Sequence, residues 1–206
     1  MKKIYLVIKR LFDILIGLIG FIILMPICLI IKIIFLINKD KYTIFYKHKR
    51  VGKNGKVFYM YKFRTMIPDA DKQLNKLLRS KKRQKEWNRY RKLSNDPRIT
   101  KVGKHLRKSS IDELPQILNV LKGDMSLIGP RPLIEGELDS YNGNHELYES
   151  IKPGITGWWA CNGRSDVECE ERLQLEYYYC NNYSLLLDIK CLFKTIIVVI
   201  KRIGAK

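Results

Sequence analysis

An apolar stretch near the N-terminus limits the folds open to this 206-residue chain. Eighteen residues from Ile14 to Ile31 carry no charge, and the apolar run resumes after Lys32 as far as Ile37. A bilayer-spanning helix needs about 20 apolar residues, whereas the h-region of a signal peptide has only about 7 to 15 and ends at a small-residue cleavage site. The sequence therefore predicts a membrane segment and disfavours a signal peptide.

The residues around this segment leave its path through the membrane open. Pro26 lies near the middle, where a proline removes a backbone hydrogen bond and kinks a helix. Basic residues flank both ends, and the positive-inside rule draws each flank to the cytoplasm. Asp13 and Lys32 lie within or beside the run, and a charge at the bilayer centre costs about 2.5 to 3.5 kcal/mol. A simple span and a helix that bends at Pro26 and returns to the same side are both compatible with this pattern.

Composition favours one catalytic domain with an anionic partner. The content of hydrophobic residues is 46%, enough for a globular core, and the formal net charge is +19. This charge favours nucleic acid, an anionic membrane surface or a phosphorylated substrate without choosing among them. The five cysteines form no Cys-x-x-Cys pair and no zinc-type arrangement with a histidine, so we interpret them as reduced structural thiols.

The rest of the sequence predicts both strands and helices. Aromatic and β-branched residues on both sides of Gly52–Gly55 predict a β-hairpin within Tyr42–Met66. A long polar helix is predicted over Asp69–Leu93, either as a solvated face or in contact with anionic lipid headgroups, and a basic connector over Ile99–Lys108. Leu185–Ile203 predicts an amphipathic helix that belongs either to the core or to the membrane surface.

The strongest chemical signal is a pair of adjacent carboxylates, Asp112 and Glu113, in this basic sequence. Neighbouring cations can keep a carboxylate ionised, so that it can attack phosphorus as a nucleophile. The pattern predicts a helix over Asp112–Leu121 with Ser109 or Ser110 as its N-cap. The helix dipole would then lower the pKa of Asp112 and attract a phosphate. The structural alternative is that the two carboxylates only cap this helix.

Two turns rich in glycine and proline add candidate binding residues. In Gly129-Pro-Arg-Pro132 the prolines fix the backbone around Arg131, which predicts a guanidinium held for bidentate phosphate contact. The alternative is that Arg131 is an ordinary surface residue. The turn Lys152–Trp159 leads into Cys161–Ser165, and such loops commonly carry binding residues.

Seven motifs in order resemble the bacterial sugar transferase family, the monotopic phosphoglycosyl transferases, over nearly the whole chain. They are Lys9-Arg-Leu-Phe-Asp13, Lys62-Phe-Arg-Thr-Met66, Asp96-Pro-Arg-Ile-Thr100, Ser110-Ile-Asp-Glu-Leu-Pro-Gln116, Lys122-Gly-Asp-Met-Ser-Leu-Ile-Gly-Pro-Arg-Pro132, Lys152-Pro-Gly-Ile-Thr-Gly157 and Gly163-Arg-Ser165. The resemblance implies an α+β, mainly helical monotopic membrane protein at the cytoplasmic face of the bacterial inner membrane, in contact with anionic headgroups. A re-entrant helix bent at Pro26 would occupy residues 1–38. A catalytic domain with a small β-hairpin and interfacial amphipathic helices would occupy residues 39–206.

The resemblance also implies a reaction, the transfer of a sugar 1-phosphate from a UDP-sugar to undecaprenyl phosphate with release of UMP, which initiates polysaccharide or glycoconjugate synthesis. By this resemblance Asp112 attacks the β-phosphate to form a phosphosugar-aspartyl intermediate. Mg²⁺ at the pair neutralises the diphosphate, and Glu113 helps to hold the metal and position the acceptor. The basic residues that match phosphate-binding or substrate-binding positions of the family are Lys62, Arg64, Arg107, Arg131 and Arg164.

Two departures from the family pattern limit what the resemblance implies. Met25 stands where many members have serine before the proline, and Trp158–Asn162 differs from the commoner Trp-Gln-Val pattern. The sugar therefore stays unidentified. The rival class is a membrane-tethered nucleic-acid-binding protein. It gives the carboxylate pair no role, so no nucleic acid partner is expected. The oligomeric state stays open, and a homodimer is compatible with the sequence.

Overall fold

The computed structural model describes residues 2–38, 42–163, 167–201 and 203, and it is mainly helical with two small sheets. The α-helices are α1 (Lys2–Ile37), α2 (Ala70–Leu77), α3 (Lys81–Tyr90), α4 (Lys101–Lys108), α5 (Ile117–Lys122), α6 (His145–Tyr148), α7 (Trp158–Cys161), α8 (Cys169–Asn182) and α9 (Leu185–Ile200). The strands are β1 (Phe45–Val51), β2 (Val57–Phe63), β3 (Ser126–Ile128) and β4 (Gly154–Thr156). Short 3-10 helices cover Lys53–Gly55, Ile111–Gln116 and Asp139–Tyr141. The predicted α+β, mainly helical class is confirmed.

Helix α1 is the longest element and largely apolar. Its 36 residues extend for about 54 Å at a rise of 1.5 Å each, and its length and composition suffice to cross a membrane. The α-helix continues through Pro26, so the bend at this residue stays a prediction. One stripe of α1 is buried, and most of the remaining surface is exposed and apolar. The buried residues are Asp13, Gly17, Leu24, Ile31 and Phe35.

The N-terminal part of this stripe is fixed to the domain by polar contacts and close packing. The Oδ1 atom of Asp13 accepts hydrogen bonds from the Ser126 hydroxyl at 3.0 Å and from the Leu127 amide at 2.9 Å. A Cβ atom at Gly17 would lie 2.8 Å from the side chain of Leu121, so the glycine allows α1 and α5 to approach closely. Asp13 therefore faces protein partners rather than lipid.

The C-terminal part of the stripe belongs to the main apolar core. This core consists of Leu24, Ile31, Phe35, Phe63 and Leu106. The contacts of α1 with the rest of the protein thus extend from Asp13 to Phe35, a distance of about 33 Å along the helix axis.

The two sheets are both small. Strands β1 and β2 pair antiparallel from Phe45 opposite Phe63 to Val51 opposite Val57, which confirms the predicted hairpin. In its turn Asn54 has φ 57° and Gly55 has φ 72°, a left-handed conformation that asparagine and glycine tolerate. Strands β3 and β4 pair in parallel and bring the Gly-Pro-Arg-Pro turn beside the Lys152–Trp159 turn.

One helix prediction and one connector prediction in the middle of the chain were wrong. The helix predicted over Asp69–Leu93 is broken into α2 and α3, because Ser80 adopts an extended backbone. The connector predicted over Ile99–Lys108 contains helix α4. The Thr100 hydroxyl caps α4 by accepting a hydrogen bond from the Gly103 amide at 2.9 Å, which is an ordinary N-cap signal.

The helix predicted over Asp112–Leu121 also differs from the structure. The residues Ile111–Gln116 form a 3-10 helix, and the α-helix begins only at Ile117. Ser110 has φ 58° and its side chain makes no capping hydrogen bond. Pro115 has no N–H group with which to close the first α-helical turn.

Asn119 of α5 fixes this segment to strand β2. The side chain is fully buried, its Nδ2 donates to the Tyr59 carbonyl at 2.7 Å, and its Oδ1 accepts from the Tyr61 amide at 2.9 Å. The carboxamide thus pairs with β2 as a neighbouring strand would. Because β2 also carries Lys62, this bridge sets the position of Lys62 relative to the segment that carries Asp112.

We predict that Asn119→Ala lowers the free energy of unfolding by about 2 to 4 kcal/mol, because a fully buried side chain is removed and two backbone groups of β2 lose their partner. Thermal and denaturant unfolding in detergent micelles measures the effect. The matched control is Asn182→Ala, which removes an exposed side chain that donates to the Tyr178 carbonyl and should change stability by less than about 0.5 kcal/mol. Equal losses in the two variants would contradict the bridging role.

Candidate active site

The two candidate carboxylates lie on the 3-10 helix between α4 and α5. Asp112 is buried with 8% of its surface exposed, whereas 35% of the Glu113 side chain is exposed. The Lys62 ammonium of β2 donates to Glu113 Oε1 at 3.1 Å. The structure therefore brings Lys62 to the carboxylate pair, although Lys62 and Glu113 are 51 positions apart in the sequence.

The pKa of Asp112 is raised to about 6, mainly because burial disfavours its charged form and secondarily because of the Glu113 charge. The charges of Lys62 and Arg107 act in the opposite direction. The expected lowering of the pKa by a helix dipole was wrong, since no α-helix begins at Asp112 and burial dominates. Asp112 is still mostly ionised at neutral pH, and it is more basic than an ordinary aspartate.

Arg107 of α4 is the second cation close to Asp112. Its Nε donates to the Thr65 hydroxyl at 3.0 Å, which orients the guanidinium, and its charge lowers the pKa of Asp112. Burial lowers the pKa of Arg107 itself, while Asp112 counteracts this effect. A cation from β2 and a cation from α4 therefore balance the carboxylate pair.

A second charged cluster surrounds Glu137. The side chains of Arg131 and Arg172 donate to Glu137 Oε1 at 2.9 and 3.0 Å, and Arg50 Nη1 lies 3.8 Å from Oε2. Burial alone would raise the pKa of Glu137, but Arg131, a hydrogen bond from the Ile134 amide and the other two arginines hold this pKa at about 2. The predicted Arg131 is thus held by an ion pair as well as by its flanking prolines. We refer to Arg50, Arg131, Glu137 and Arg172 as the arginine cluster.

His48 and Arg50 of β1 connect this cluster to the carboxylate pair. Arg50 Nη2 lies 3.1 Å from His48 Nδ1. Burial, followed by the charges of Arg50, Lys62 and Arg131, lowers the pKa of His48 to about 3, so the imidazole is neutral at physiological pH. Because Lys62 and Arg131 both act on His48, the cations form a continuous band from the carboxylate pair to the arginine cluster.

The other two predicted basic residues are not joined to this band by the described contacts. Arg64 donates to the Thr43 carbonyl through Nε at 3.0 Å, and its guanidinium carbon lies 5.7 Å from the centroid of the Tyr46 ring. It therefore contacts the chain just before β1. Arg164 lies outside the described residues.

The carboxylate pair is the candidate for the predicted metal site. Within the described ranges, no group of three or more His, Cys, Asp or Glu side chains is placed to hold a metal ion. Mg²⁺, however, is commonly bound by one or two carboxylates together with substrate phosphates and water. Asp112 and Glu113 repel each other in a partly buried site, and a bound cation would relieve this repulsion. The donor set therefore fits Mg²⁺.

Several residues of the site were not predicted from the sequence. Glu137 and Arg172 are 35 residues apart, and no local pattern pairs them. A usable signal existed for His48 and Arg50, because alternate residues of a strand share a face and these two share the inward face of β1. The five cysteines are all free, in agreement with the predicted reduced thiols.

Comparison with known proteins supports the resemblance. A UDP-galactose-lipid carrier transferase of Erwinia amylovora is 46% identical over 198 residues, which cover 96% of this chain and 41% of that protein. An undecaprenyl-phosphate galactose phosphotransferase of Salmonella typhimurium is 45% identical over 198 residues, with 96% and 41% coverage. The exopolysaccharide production protein ExoY of Sinorhizobium fredii is 44% identical over 189 residues, with 91% and 83% coverage.

The chain thus spans about two fifths of the length of the first two relatives and most of the third. The sequence pattern of the bacterial sugar transferase family matches residues 4–202, which include α1, the carboxylate pair and the arginine cluster. This protein belongs to the bacterial sugar transferase family.

Proposed function

We propose that this protein transfers a sugar 1-phosphate from a UDP-sugar to undecaprenyl phosphate, releases UMP, and so initiates polysaccharide or glycoconjugate synthesis. The observation that carries the proposal is a buried, mostly ionised Asp112 beside Glu113, balanced by Lys62 and Arg107. The names of the two galactose transferases among the relatives support this substrate class and make UDP-galactose the first donor to test.

In the proposed mechanism, an Asp112 oxygen attacks the β-phosphorus of the donor. The bond from this phosphorus to the oxygen that bridges the two phosphates breaks, and UMP leaves with that oxygen. A phosphate oxygen of undecaprenyl phosphate then attacks the same phosphorus and releases the Asp112 carboxylate. A water-soluble donor and a lipid acceptor can therefore use one site in turn. The raised pKa of Asp112 favours this role, because a more basic carboxylate is a better nucleophile.

The surrounding charges supply positioning and electrostatic stabilisation, which account for most catalysis of phosphoryl transfer. We assign Lys62, Arg107 and Arg131 to the phosphates of the substrates. Asp112 and Glu113 would hold Mg²⁺, which when bound neutralises phosphate charge. Arg64 and Arg164 are proposed as further phosphate contacts, and Arg64 would have to leave the Thr43 carbonyl to reach one.

We further propose that α1 enters and leaves the membrane on the cytoplasmic face of the inner membrane, with its bend at Pro26. The packing of α1 on the domain from Asp13 to Phe35 supports this path, because a helix that crossed the bilayer would lose these contacts or draw the domain into lipid. Residues 1–38 would then form the membrane unit and residues 39–206 the catalytic domain.

Helix α9 is proposed to lie on the same membrane surface. Lys9 and Tyr5 of α1 donate to Asp188 of α9 at 2.6 and 2.8 Å, which fixes the two helices side by side. The outer face of α9 is apolar and exposed, as expected for a helix at the interface. The exposed residues of this face include Leu186, Ile189, Phe193, Ile196, Ile197 and Ile200.

We predict that Asp112→Asn abolishes UMP release from every UDP-sugar, because an amide cannot form the intermediate. The unfolding temperature in EDTA should match or exceed that of the wild type, since the amide is neutral and is not repelled by Glu113. Wild-type protein incubated with donor labelled with ³²P in the β-phosphate should carry the label on the peptide that contains Asp112. Full activity of Asp112→Asn, or label on another peptide, would contradict the assignment.

We predict that Glu113→Gln slows UMP release about 100-fold or more without unfolding the protein, because it removes a charge from the site of phosphoryl transfer. The control is Glu135→Gln, which changes an exposed carboxylate paired with Lys49 on the surface and should keep wild-type turnover. Exchange of labelled UMP into UDP-galactose without acceptor isolates the first half-reaction. Wild-type exchange and turnover in Glu113→Gln would exclude a role for Glu113.

The membrane path can be tested with single cysteines at Lys3 and Lys53, which lie before the apolar run and in the hairpin turn. In intact cells an impermeant maleimide should label neither position, and it should label both after permeabilisation. The unsubstituted protein is the control for its five native thiols. Labelling of Lys3→Cys alone in intact cells would show a simple span.

A further inference from the structure

The arginine cluster contains more positive charge than its own carboxylate neutralises. Arg50, Arg131 and Arg172 all face the carboxylate of Glu137, and both Arg50 and Arg172 are only 7% exposed. The buried Glu176 accepts a hydrogen bond from the Arg131 amide at 3.0 Å, but burial raises the pKa of Glu176 to about 7, so this carboxyl is only partly ionised at neutral pH. Among the described residues, no hydrogen-bond partner is present for the buried Nε atom of Arg50. The guanidinium charge of the cluster therefore exceeds the ionised carboxylate charge beside it, which favours an anion at this position.

A shallow cleft opens beside this cluster, and Arg131 and Arg172 both line it. Four of its lining residues are cationic, two are aromatic, and none of the described lining residues is acidic. The residues that form its charged and aromatic walls are Tyr90, Arg91, Lys92, Arg131, Trp159 and Arg172. The guanidinium carbon of Arg172 lies 5.8 Å from the centroid of the Trp159 ring, so cation and ring form one continuous surface.

We infer that this cleft binds the UMP half of the donor, with the uracil against Tyr90 and Trp159 and the phosphate against Arg131 and Arg172. The inference rests on the proposed function and adds the location of the nucleotide. A flat ring between aromatic side chains and an anion beside arginines is the chemistry by which a nucleotide is held. Inorganic phosphate has no ring that could stack on the two aromatic side chains.

The position of Arg131 connects the cleft to the carboxylate pair. Arg131 lines the cleft, and its charge acts on His48 together with the charge of Lys62, which pairs with Glu113. A donor whose uridine lies in the cleft therefore has its diphosphate along the band of cations. Its β-phosphate would then point toward Asp112.

The cleft is also separated from the lipid-facing helices. Arg172 precedes Tyr179 by seven residues, or about 10 Å along α8, and the Tyr179 hydroxyl donates to Asp188 of α9 at 2.6 Å. The phosphate of a polyprenyl acceptor is anchored at the membrane surface, whereas the UMP half of the donor is free in water. This separation favours the donor as the occupant.

Calorimetric titration of UMP into the full chain in detergent tests the inference, with Asp112→Asn as the background so that binding is measured without turnover. Tyr90→Ala should weaken UMP binding about tenfold through lost stacking. Lys92→Gln should weaken it severalfold, and less at high salt. The matched controls are Tyr59→Ala, which removes an exposed ring of the hairpin, and Lys82→Gln on α3 outside the cleft, and both should bind UMP as the parent does.

Photocrosslinking of 5-iodo-UMP to the wild-type chain provides an independent test, and the label should map to the peptides that contain Tyr90 or Trp159. Unchanged UMP affinity in both cleft variants, or label elsewhere, would overturn the inference. Equal affinity for inorganic phosphate and UMP would show a simple anion site instead. Displacement of UMP by undecaprenyl phosphate would assign the cleft to the acceptor. Failure of the proposed function would appear separately, as no UMP release by the wild type from any UDP-sugar.

Discussion

The balance of buried charge around Asp112 is the constraint on which the site depends. A carboxylate attacks a phosphate only if it stays ionised and if the negative charges that meet there are compensated. Burial and Glu113 raise the pKa of Asp112, and Lys62 and Arg107 limit the rise so that the side chain is still mostly charged at neutral pH. These cations come from β2 and α4, so the balance exists only when the hairpin and both helical segments are assembled.

Helix α1 is part of this assembly as well as the proposed membrane anchor. Arg10 of α1 donates to the carbonyls of Val120 and Leu121 at 2.6 and 2.9 Å and so caps the C-terminal end of α5. Asp13 accepts a hydrogen bond from the Leu127 amide and so fixes the start of β3 to α1. From the sequence alone, Asp13 would place a charge in the bilayer if α1 were exposed to lipid, which is unfavourable. In the structure its carboxylate is satisfied by the domain, which explains how an otherwise apolar helix carries an acidic residue.

Local sequence patterns predicted the elements whose conformation depends on neighbouring residues. They failed for properties that depend on residues far away in the sequence. The hairpin followed from Asn54 and Gly55, whose conformations a tight turn requires. The carboxylate pair was located, but the sign of the Asp112 pKa shift was wrong because burial depends on elements far away in the sequence. The pairing of Arg131 with Glu137 crosses a loop and lacks a periodic signal. Thr100 is an ordinary N-cap residue and indicates the start of α4, but the basic composition of the segment favoured a connector instead.

Glu137 explains how a surplus of buried arginines can persist before a substrate arrives. Its carboxylate stays ionised at all physiological pH values and orients Arg131 and Arg172 without neutralising the whole cluster. In the proposed reaction the arginines are thus already in place when phosphate charge enters, so little reorganisation is needed at the moment of transfer. The second buried carboxyl beside Arg131, that of Glu176, has its pKa raised to about 7 by burial, so it cancels only part of the attraction for an anion. Without any carboxylate the guanidiniums would repel one another. One fully ionised glutamate among three arginines is therefore a compromise between a stable protein and a site that attracts a phosphate.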